Sequence, residues 1–270
     1  MHSLEHHHIT DLYVLVDDLL PQESSLGRPG ITNREVVTLL LFNTLTDFQP
    51  LLKDVHAWAK RHYSAEFPKL PKYSAFVDRV HQAYPAFFTI LQSLLATDSP
   101  IEWMDSTKIP VCNNHRADHY RVAREVVGWG KNWQGYWYGF KLHGAINEKG
   151  QFCALTLTSA AQYDGHEMKH LVHYATRIAV GDTHYGGKAQ TDPLTKKYGT
   201  LFLAYPHPKQ NKKLLAPWQK LLLDFRSKIE SVWDILKEHM GLVTSFPRSL
   251  TGYLVHYLRV IIAYQLSVIG

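Results

Sequence analysis

Apolar residues recur at helical spacing through the first 98 residues. The first run places them every three or four positions, at Ile9, Leu12, Leu15, Val16, Leu19 and Leu20. Thr32 and Glu35 form a capping-box pattern ahead of a second apolar stretch, and Pro50, Ser74 and Pro85 mark the starts of three more. These patterns predict a small all-α domain over residues 1–98, with basic residues on its flank that would suit a helix-turn-helix or an ordinary solvated bundle surface.

The pattern changes at Ile101. Short β-rich runs follow ("IEWM", "TKIPVC", "YRVAREVV"), and then "WYGFKLHGAI", "NEKG" and "QFCALTLT" predict a hairpin. Farther on, "GHEMKHLVHYATR" predicts a helix, "IAVGD" and "TLFLAY" predict buried strands, and residues 211–239 predict one or two helices. An antiparallel meander followed by alternating strands and helices indicates an α/β domain with a mixed sheet over residues 99–270.

Composition narrows the class of protein. The chain has 270 residues, of which 45% are hydrophobic and 20% charged, and it carries a formal charge of +5 with a pI of about 9.0. This balance favours an anionic partner, nucleic acid first. Cys112 and Cys153 are too few for a disulfide framework or a cysteine-built zinc site, and they fit a reducing cytoplasm. The start of the chain has no secretory pattern.

The most apolar run lies near the C-terminus, in "GYLVHYLRVIIAYQLSVI". His256, Arg259 and Gln265 interrupt it before it reaches the roughly 20 clean apolar residues of a membrane span. The run therefore predicts a packed terminal helix.

Three acidic residues stand where the predicted fold would bring them together. Asp105 follows the apolar run "IEWM", and Asp182 follows "IAVG". Carboxyl ends of buried strands are where ligands bind in open α/β sheets. Glu230 lies on a predicted helix at 225–239 beside an apolar stripe that would cover the sheet. Three converging carboxylates repel one another unless hard divalent cations neutralise them.

Arg226, Glu230 and Lys237 share one line of that predicted helix. Taken alone, Arg226 and Glu230 could form a surface ion pair worth about 0.2–0.5 kcal/mol. A single Asp at a strand end is also more often a turn or capping residue than a ligand. The functional interpretation of Asp105, Asp182 and Glu230 therefore depends on the three occurring together.

The same layout resembles the DDE transposases of bacterial insertion sequences. Arg226, Glu230 and Lys237 match R-x3-E-x6-K of the Y-x2-R-x3-E-x6-K signature, whose tyrosine is replaced by Leu223. "IEWMDSTKIPVCN", "YGFKLH" and "VGDTHYGG" look most like insertion-sequence family 982, and "LPKYSAFVDRVH" resembles the segment before its catalytic core. The resemblance covers nearly the whole chain and implies an RNase H-like mixed sheet flanked by helices, preceded by the small all-α N-terminal domain.

The resemblance also implies a function. Asp105, Asp182 and Glu230 would be both catalytic residues and ligands of two Mg²⁺ ions, with Mn²⁺ as a possible substitute. The enzyme would bind the terminal inverted repeats through its helical domain, cut the ends and join the freed 3′-hydroxyls to target DNA. The expected assembly is a homodimer on double-stranded DNA, with no membrane, in the cytoplasm of a bacterium or archaeon, at the nucleoid. Phosphate contacts are expected from basic residues at Arg226, Lys237, Lys108, Lys188, Lys209, Lys212 and Lys213.

Three alternatives stay open from the sequence. A metal-dependent nuclease of the same fold would cut without joining, because cutting and joining use the same carboxylates. A domesticated relative would only bind DNA, although it should have lost an acidic residue, and all three are present. A histidine-rich metal-binding protein would have only His166 and His170 as a close pair on a helix. The tryptophans at 129, 133 and 137 predict an ordered loop with no assigned task.

Overall fold

The computed structural model describes residues 8–21, 30–205 and 215–269. Its helices, numbered along the chain, are α1 (Ile9–Leu19), α2 (Asn33–Thr46), α3 (Leu52–His62), α4 (Tyr73–Gln82), α5 (Tyr84–Leu94), α6 (Asp164–Leu171), α7 (Lys188–Tyr198), α8 (Pro217–Asp224), α9 (Ser227–Asp234) and α10 (Leu250–Ile269). The strands are β1 (Ile101–Cys112), β2 (Gly128–Asn132), β3 (Gly135–Ile146), β4 (Phe152–Ser159), β5 (Ile178–Gly181) and β6 (Leu201–Ala204). The chain divides into two compact units, one of them discontinuous in sequence.

The first unit is helical and contains the described residues up to Leu94 together with those from Glu238 onward. The capping box at the start of α2 forms as predicted, since Thr32 and Glu35 satisfy each other's backbone N–H groups. Helix α10 packs against α2, α4 and α5. It is long and apolar enough to resemble a membrane span, but 67% of its apolar window is buried inside the protein, as in the core helix of a folded unit.

This division differs from the one inferred from the sequence, which assigns all of residues 99–270 to the second domain. In the structure α10 belongs with the N-terminal helices. The physical reason is that α10 buries side chains around most of its circumference, from Tyr253 to Gln265. A helix that is apolar on nearly every side is stable only when several other helices surround it.

The second unit, Leu95–Lys237, is built on one mixed sheet. Within the described residues the sheet has six strands, five of them in the order β2-β3-β1-β5-β6. Strand β4 also pairs with β3, alongside the second half of that strand, whereas β2 pairs with its first half. Strands β1, β3 and β4 form the antiparallel meander, and β5 and β6 run parallel to β1. The predicted fold class, an RNase H-like mixed sheet with helices at the N-terminus, is confirmed.

Several local predictions were wrong in instructive ways. "IEWM" and "TKIPVC" form one continuous strand, β1, so Asp105 lies inside a strand rather than after one. "YRVAREVV" is not a strand but a turn-rich segment between a 3₁₀ turn at Asn114–His119 and β2. The helix predicted at 225–239 begins two residues late, because residues 225–226 form a turn between α8, which ends at Asp224, and α9 (Ser227–Asp234). It continues into a π-helical turn at Ile235–His239. The sequence "GRPG" at 27–30 also predicts a turn, and this segment lies mostly outside the described residues.

Candidate active site

The position of Asp105 follows from how β1 pairs with its two neighbouring strands. Trp103 is the last residue of β1 paired with β5, opposite Val180. On the other side of the strand, Asp105 pairs with Gly144 of β3. Because β1 and β5 run parallel, two further residues along each strand bring Asp105 and Asp182 to the same level of the sheet. The two carboxylates therefore meet at the carboxyl edge of the parallel pair, although β1 continues beyond it.

Asp182 follows the last residue of β5, as the sequence predicts. Its Oδ1 accepts a hydrogen bond of 2.8 Å from the backbone N–H of His184, which caps a single 3₁₀ turn at Thr183–Tyr185. Asp182 thus also fills the capping role that is the commonest use of an Asp at a strand end. The hydrogen bond uses one carboxylate oxygen, and the other retains its acceptor capacity.

Glu230 reaches this edge from α9, which packs on β1. Ile229, Val232 and Trp233 face inward and are buried, while the Glu230 side chain is 50% exposed. Trp233 lies on Phe152 of β4, with ring centroids 5.5 Å apart. The inward face of α9 therefore fixes the helix on the sheet and leaves Glu230 at the border between core and solvent, as the sequence pattern predicts.

Arg226 connects two of the three carboxylates. Its guanidinium forms an ion pair with Glu230 four residues on, and its Nη1 lies 3.8 Å from Oδ1 of Asp105. The break between α8 and α9 puts Arg226 at the N-terminal boundary of α9. A single cation thus lies between a carboxylate of the sheet and a carboxylate of the covering helix. The sequence predicted the contact with Glu230 but not the contact with Asp105.

Burial raises the pKa of Asp105 to about 7. A backbone hydrogen bond at Ser106 and the charge of Arg226 act in the opposite direction, and the negative charges of Asp182 and Glu230 raise the pKa further. Both of those carboxylates are therefore near enough to repel Asp105. A cluster of carboxylates with incomplete positive compensation is the electrostatic condition of a cation site.

The family of the chain is shown by comparison with known protein families. A model of the family described as "Transposase DDE domain" matches residues 95–250, more than half of the chain. The chain belongs to the DDE transposase family. No curated protein matches the chain. The family carries the transposase function and implies a DNA substrate, and it confirms the predictions of transposase, transposition and RNase H-like core.

The three carboxylates supply oxygen donors of the kind that divalent cations bind, but they do not surround a common point. Carboxylate oxygens are the donors that Mg²⁺ prefers. Within residues 8–21, 30–205 and 215–269, no group of three His, Cys, Asp or Glu side chains is arranged closely enough to hold a metal ion. Arg226 stands between Asp105 and Glu230 and neutralises part of their charge. The donor set fits a divalent cation, and chelation would require Glu230 and Arg226 to rearrange.

A second polar cluster borders the three carboxylates, and the sequence alone does not show that its residues lie together. Nζ of Lys141 lies 2.9 Å from Oδ1 of Asp164, at the start of α6. His143 lies two residues after Lys141 in β3 and is fully buried. Burial lowers the pKa of His143 to about 4, so its imidazole is neutral at physiological pH. Burial, followed by the charges of Asp164, Asp105 and Asp182, raises the pKa of Tyr185. Lys141 and His143 share one face of β3 by strand alternation, which is the signal that could have found them.

The predicted phosphate-contacting residues lie in different places. Lys108 is in β1, and its Nζ donates a 2.6 Å hydrogen bond to Gln134. Lys188 is the exposed first residue of α7, six positions after Asp182. Lys237 lies in the π-helical turn, so the straight helical line through Arg226, Glu230 and Lys237 is interrupted. Lys209, Lys212 and Lys213 lie outside the described residues.

Proposed function

We propose that this transposase binds the terminal inverted repeats of an insertion sequence and catalyses metal-dependent cleavage and strand transfer at its ends. Asp105, Asp182 and Glu230 are the proposed catalytic carboxylates and the proposed ligands of two Mg²⁺ ions, for which Mn²⁺ could substitute. The observation that carries the proposal is their convergence, in a DDE transposase chain, at one edge of the sheet with Arg226 between two of them.

Each residue has a distinct part in this proposal. Asp105 and Asp182 supply rigid donors, because a strand and a capped turn hold them. Glu230 supplies an adjustable donor, because its side chain is half exposed and its helix ends the catalytic core. Bound divalent cations would activate the attacking water or 3′-hydroxyl and stabilise the leaving oxygen. Arg226 would exchange its carboxylate partners for a DNA phosphate, which accepts the same forked hydrogen bonds.

The motifs quoted above support placing the chain in insertion-sequence family 982. DNA contacts from Lys237, Lys108, Lys188, Lys209, Lys212 and Lys213 would accompany that of Arg226, and the N-terminal helices of the first unit would contribute to recognition of the repeats. An element has two ends, so a homodimer with one active site per end is the natural assembly. The expected location is the bacterial or archaeal cytoplasm, at the nucleoid.

The decisive experiment compares DNA cleavage by the wild type and by Glu230→Gln on the element's own ends, with Mg²⁺ and with EDTA. The amide keeps the size of the side chain and removes its charge. We expect the wild type to cut only with Mg²⁺, and the variant to bind the same DNA without cutting it. Asp105→Asn and Asp182→Asn should behave in the same way.

Asp234→Asn is the matched control, because Asp234 is an exposed acidic residue on the same helix, four positions after Glu230. It should cut like the wild type. Equal cutting by Glu230→Gln and wild type would reduce the Arg226–Glu230 contact to a surface ion pair and remove Glu230 from the site.

A second assay separates a transposase from a nuclease that cannot join. DNA with pre-cleaved ends is offered together with a target plasmid, and joined products are measured. Strand transfer that needs all three carboxylates supports the proposal. Cleavage without joining under conditions that retain DNA binding would favour the nuclease, and binding without either reaction would favour a protein that only binds DNA.

A further inference from the structure

The β2–β3 hairpin ends in aromatic residues that face solvent. Trp133, at the tip, is 90% exposed, Tyr136 next to the turn is 58% exposed, and Trp129, nearer the base of the hairpin, is 44% exposed. A single exposed apolar side chain is ordinary on a protein surface, but several together indicate an interaction site. The catalytic carboxylates do not account for this surface.

The tip has a defined shape despite its exposure. Oδ1 of Asn132 accepts a 3.0 Å hydrogen bond from the backbone N–H of Gln134, which forms a local turn. Gly135 closes the turn with φ of +118°, a conformation that other residues rarely adopt. Nδ2 of Asn114 donates a 2.7 Å hydrogen bond to the carbonyl of Tyr136. The backbone therefore holds Trp133 away from the protein in a preorganised position.

The base of the hairpin is anchored to the sheet. Trp137 is buried, and its ring covers Gly130, where a Cβ atom would lie only 2.4 Å from the indole. Oε1 of Gln134 accepts a hydrogen bond from Nζ of Lys108, which ties the tip to β1. The hairpin is thus a stiff projection from the catalytic sheet.

The charge around the hairpin indicates the kind of partner that the hairpin contacts. Residues 108–136 carry five Lys and Arg against two Asp and Glu. Exposed cations lie at Arg116, Arg121, Arg124 and Lys131. Nζ of Lys131 lies 5.0 Å from the ring centroid of Tyr136, so charge and aromatic surface are adjacent. Aromatic side chains interleaved with cations are the chemistry with which proteins bind single-stranded or unpaired DNA.

We propose that the tip of this hairpin contacts DNA, with Trp133 stacking on an unpaired base and Lys131 contacting a neighbouring phosphate. The inference rests on the proposed function, since it adds a contact to the DNA that the carboxylates would cut. Every base presents a flat aromatic face, so stacking would add affinity for frayed or overhanging ends without demanding a sequence. A projecting two-stranded ribbon is also narrow enough to approach DNA closely.

The test measures the affinity of Trp133→Ala and the wild type for two labelled duplexes by fluorescence anisotropy. One duplex carries an unpaired single-stranded overhang at its cleaved end, and the other is blunt. We expect Trp133→Ala to weaken binding to the overhang duplex by about 5- to 160-fold, the range for loss of one stacked base, and to change binding to the blunt duplex much less. Trp133→Phe should retain most of the affinity, because it keeps an aromatic face.

Salt dependence separates stacking from charge. Lys131→Ala should reduce the slope of log K against log salt by about 0.7–0.9, the loss of one phosphate contact. Trp133→Ala should weaken binding without changing that slope, because indole carries no charge. A general loss of structure would change both quantities, and circular dichroism melting of each variant checks for it.

Tyr174→Ala is the control for loss of an exposed aromatic ring. Tyr174 is 72% exposed and precedes β5, so it lies at the opposite edge of the sheet from Asp182. The Tyr174→Ala variant should bind both duplexes with the affinity of the wild type. Wild-type affinity of Trp133→Ala for the overhang duplex, or an equal loss on both duplexes, would overturn the proposal. If the wild type cuts DNA and Trp133→Ala binds normally, the proposed function stands and only the hairpin contact fails.

Discussion

Gly144 should be intolerant of even one added carbon atom, because it lies where α9 meets the sheet. The residue pairs with Asp105 across the β1–β3 ladder and adopts no positive φ. A Cβ atom added to it would lie 2.8 Å from Cη2 of Trp233 and 3.0 Å from Cε1 of Phe152. Trp233 is 3% exposed and Phe152 is fully buried, so neither ring can move into solvent.

Two effects of opposite sign compete in Gly144→Ala. Replacing glycine by alanine within a strand stabilises the fold by about 0.5–1 kcal/mol through backbone entropy. Overpacking a close-packed interior costs about 1–3 kcal/mol. Since the added atom would be closer to two confined rings than van der Waals contact allows, we expect overpacking to dominate, with a net destabilisation of roughly 0.5–2 kcal/mol.

The assay is urea unfolding followed by circular dichroism, combined with DNA cleavage. Glu230 lies three residues before Trp233 on α9, so a displaced indole should also lower cleavage without altering any proposed metal ligand. Trp233→Phe should relieve the contact, and the double variant should show a coupling free energy of about 0.5–3 kcal/mol. Gly30→Ala is the control, because a Cβ atom there meets nothing within 4 Å. Stabilisation by Gly144→Ala, or additivity with Trp233→Phe, would refute the reasoning.

Two further predictions concern buried polar groups. Burial, aided by the charge of Arg259, lowers the pKa of His256 to about 3, whereas the unfolded value is about 6.5. His256 therefore takes up a proton more readily in the unfolded chain, and the free energy of unfolding falls as the pH drops below 6.5. Urea unfolding should show that this free energy is lower by roughly 2 kcal/mol at pH 5 than at pH 7, and His256→Gln should lack this loss. Thr176, fully buried, donates a 3.1 Å hydrogen bond to the fully buried Glu102. Thr176→Val should cost about 1–3 kcal/mol in the same assay and Thr176→Ser much less; equal costs would exclude the hydroxyl as the cause.

Local sequence patterns predicted the fold correctly where the interactions that form an element lie within that element. The capping box of Thr32 and Glu35 begins α2 because its two hydrogen bonds span only three residues. The β3–β4 hairpin forms where aromatic and β-branched residues flank an Asn/Gly turn. Prediction was wrong in residues 120–127, whose apolar residues suggested a strand that the sheet does not include. Strand propensity describes compatibility with a sheet, and only pairing partners create a strand.

The helix predicted at 225–239 shows a different limit, because a turn at residues 225–226 separates it from α8. The sequence pattern predicted the buried face of this helix correctly, since Ile229, Val232 and Leu236 are all buried. The break at residues 225–226 leaves no mark in that periodicity. Trp103 donates a 2.8 Å hydrogen bond from its indole to the carbonyl of Leu222, and its ring lies 5.2 Å from that of Phe225. Contacts from a strand more than 100 residues away therefore accompany the end of α8, and no local window contains them.

By itself the sequence determined which residue types the site has, the α/β class, and the apolar faces that turn each element toward a core, because these follow from side-chain chemistry and from the periods of helix and strand. Only the tertiary structure decided that Asp105 and Asp182 lie at one level, since that depends on the register of β1 with β5. It also decided that Arg226 pairs with Asp105 as well as Glu230, and that Trp133 remains exposed. Distances between residues far apart in sequence depend on which strands pair and which helices cover them, and no single segment encodes that choice.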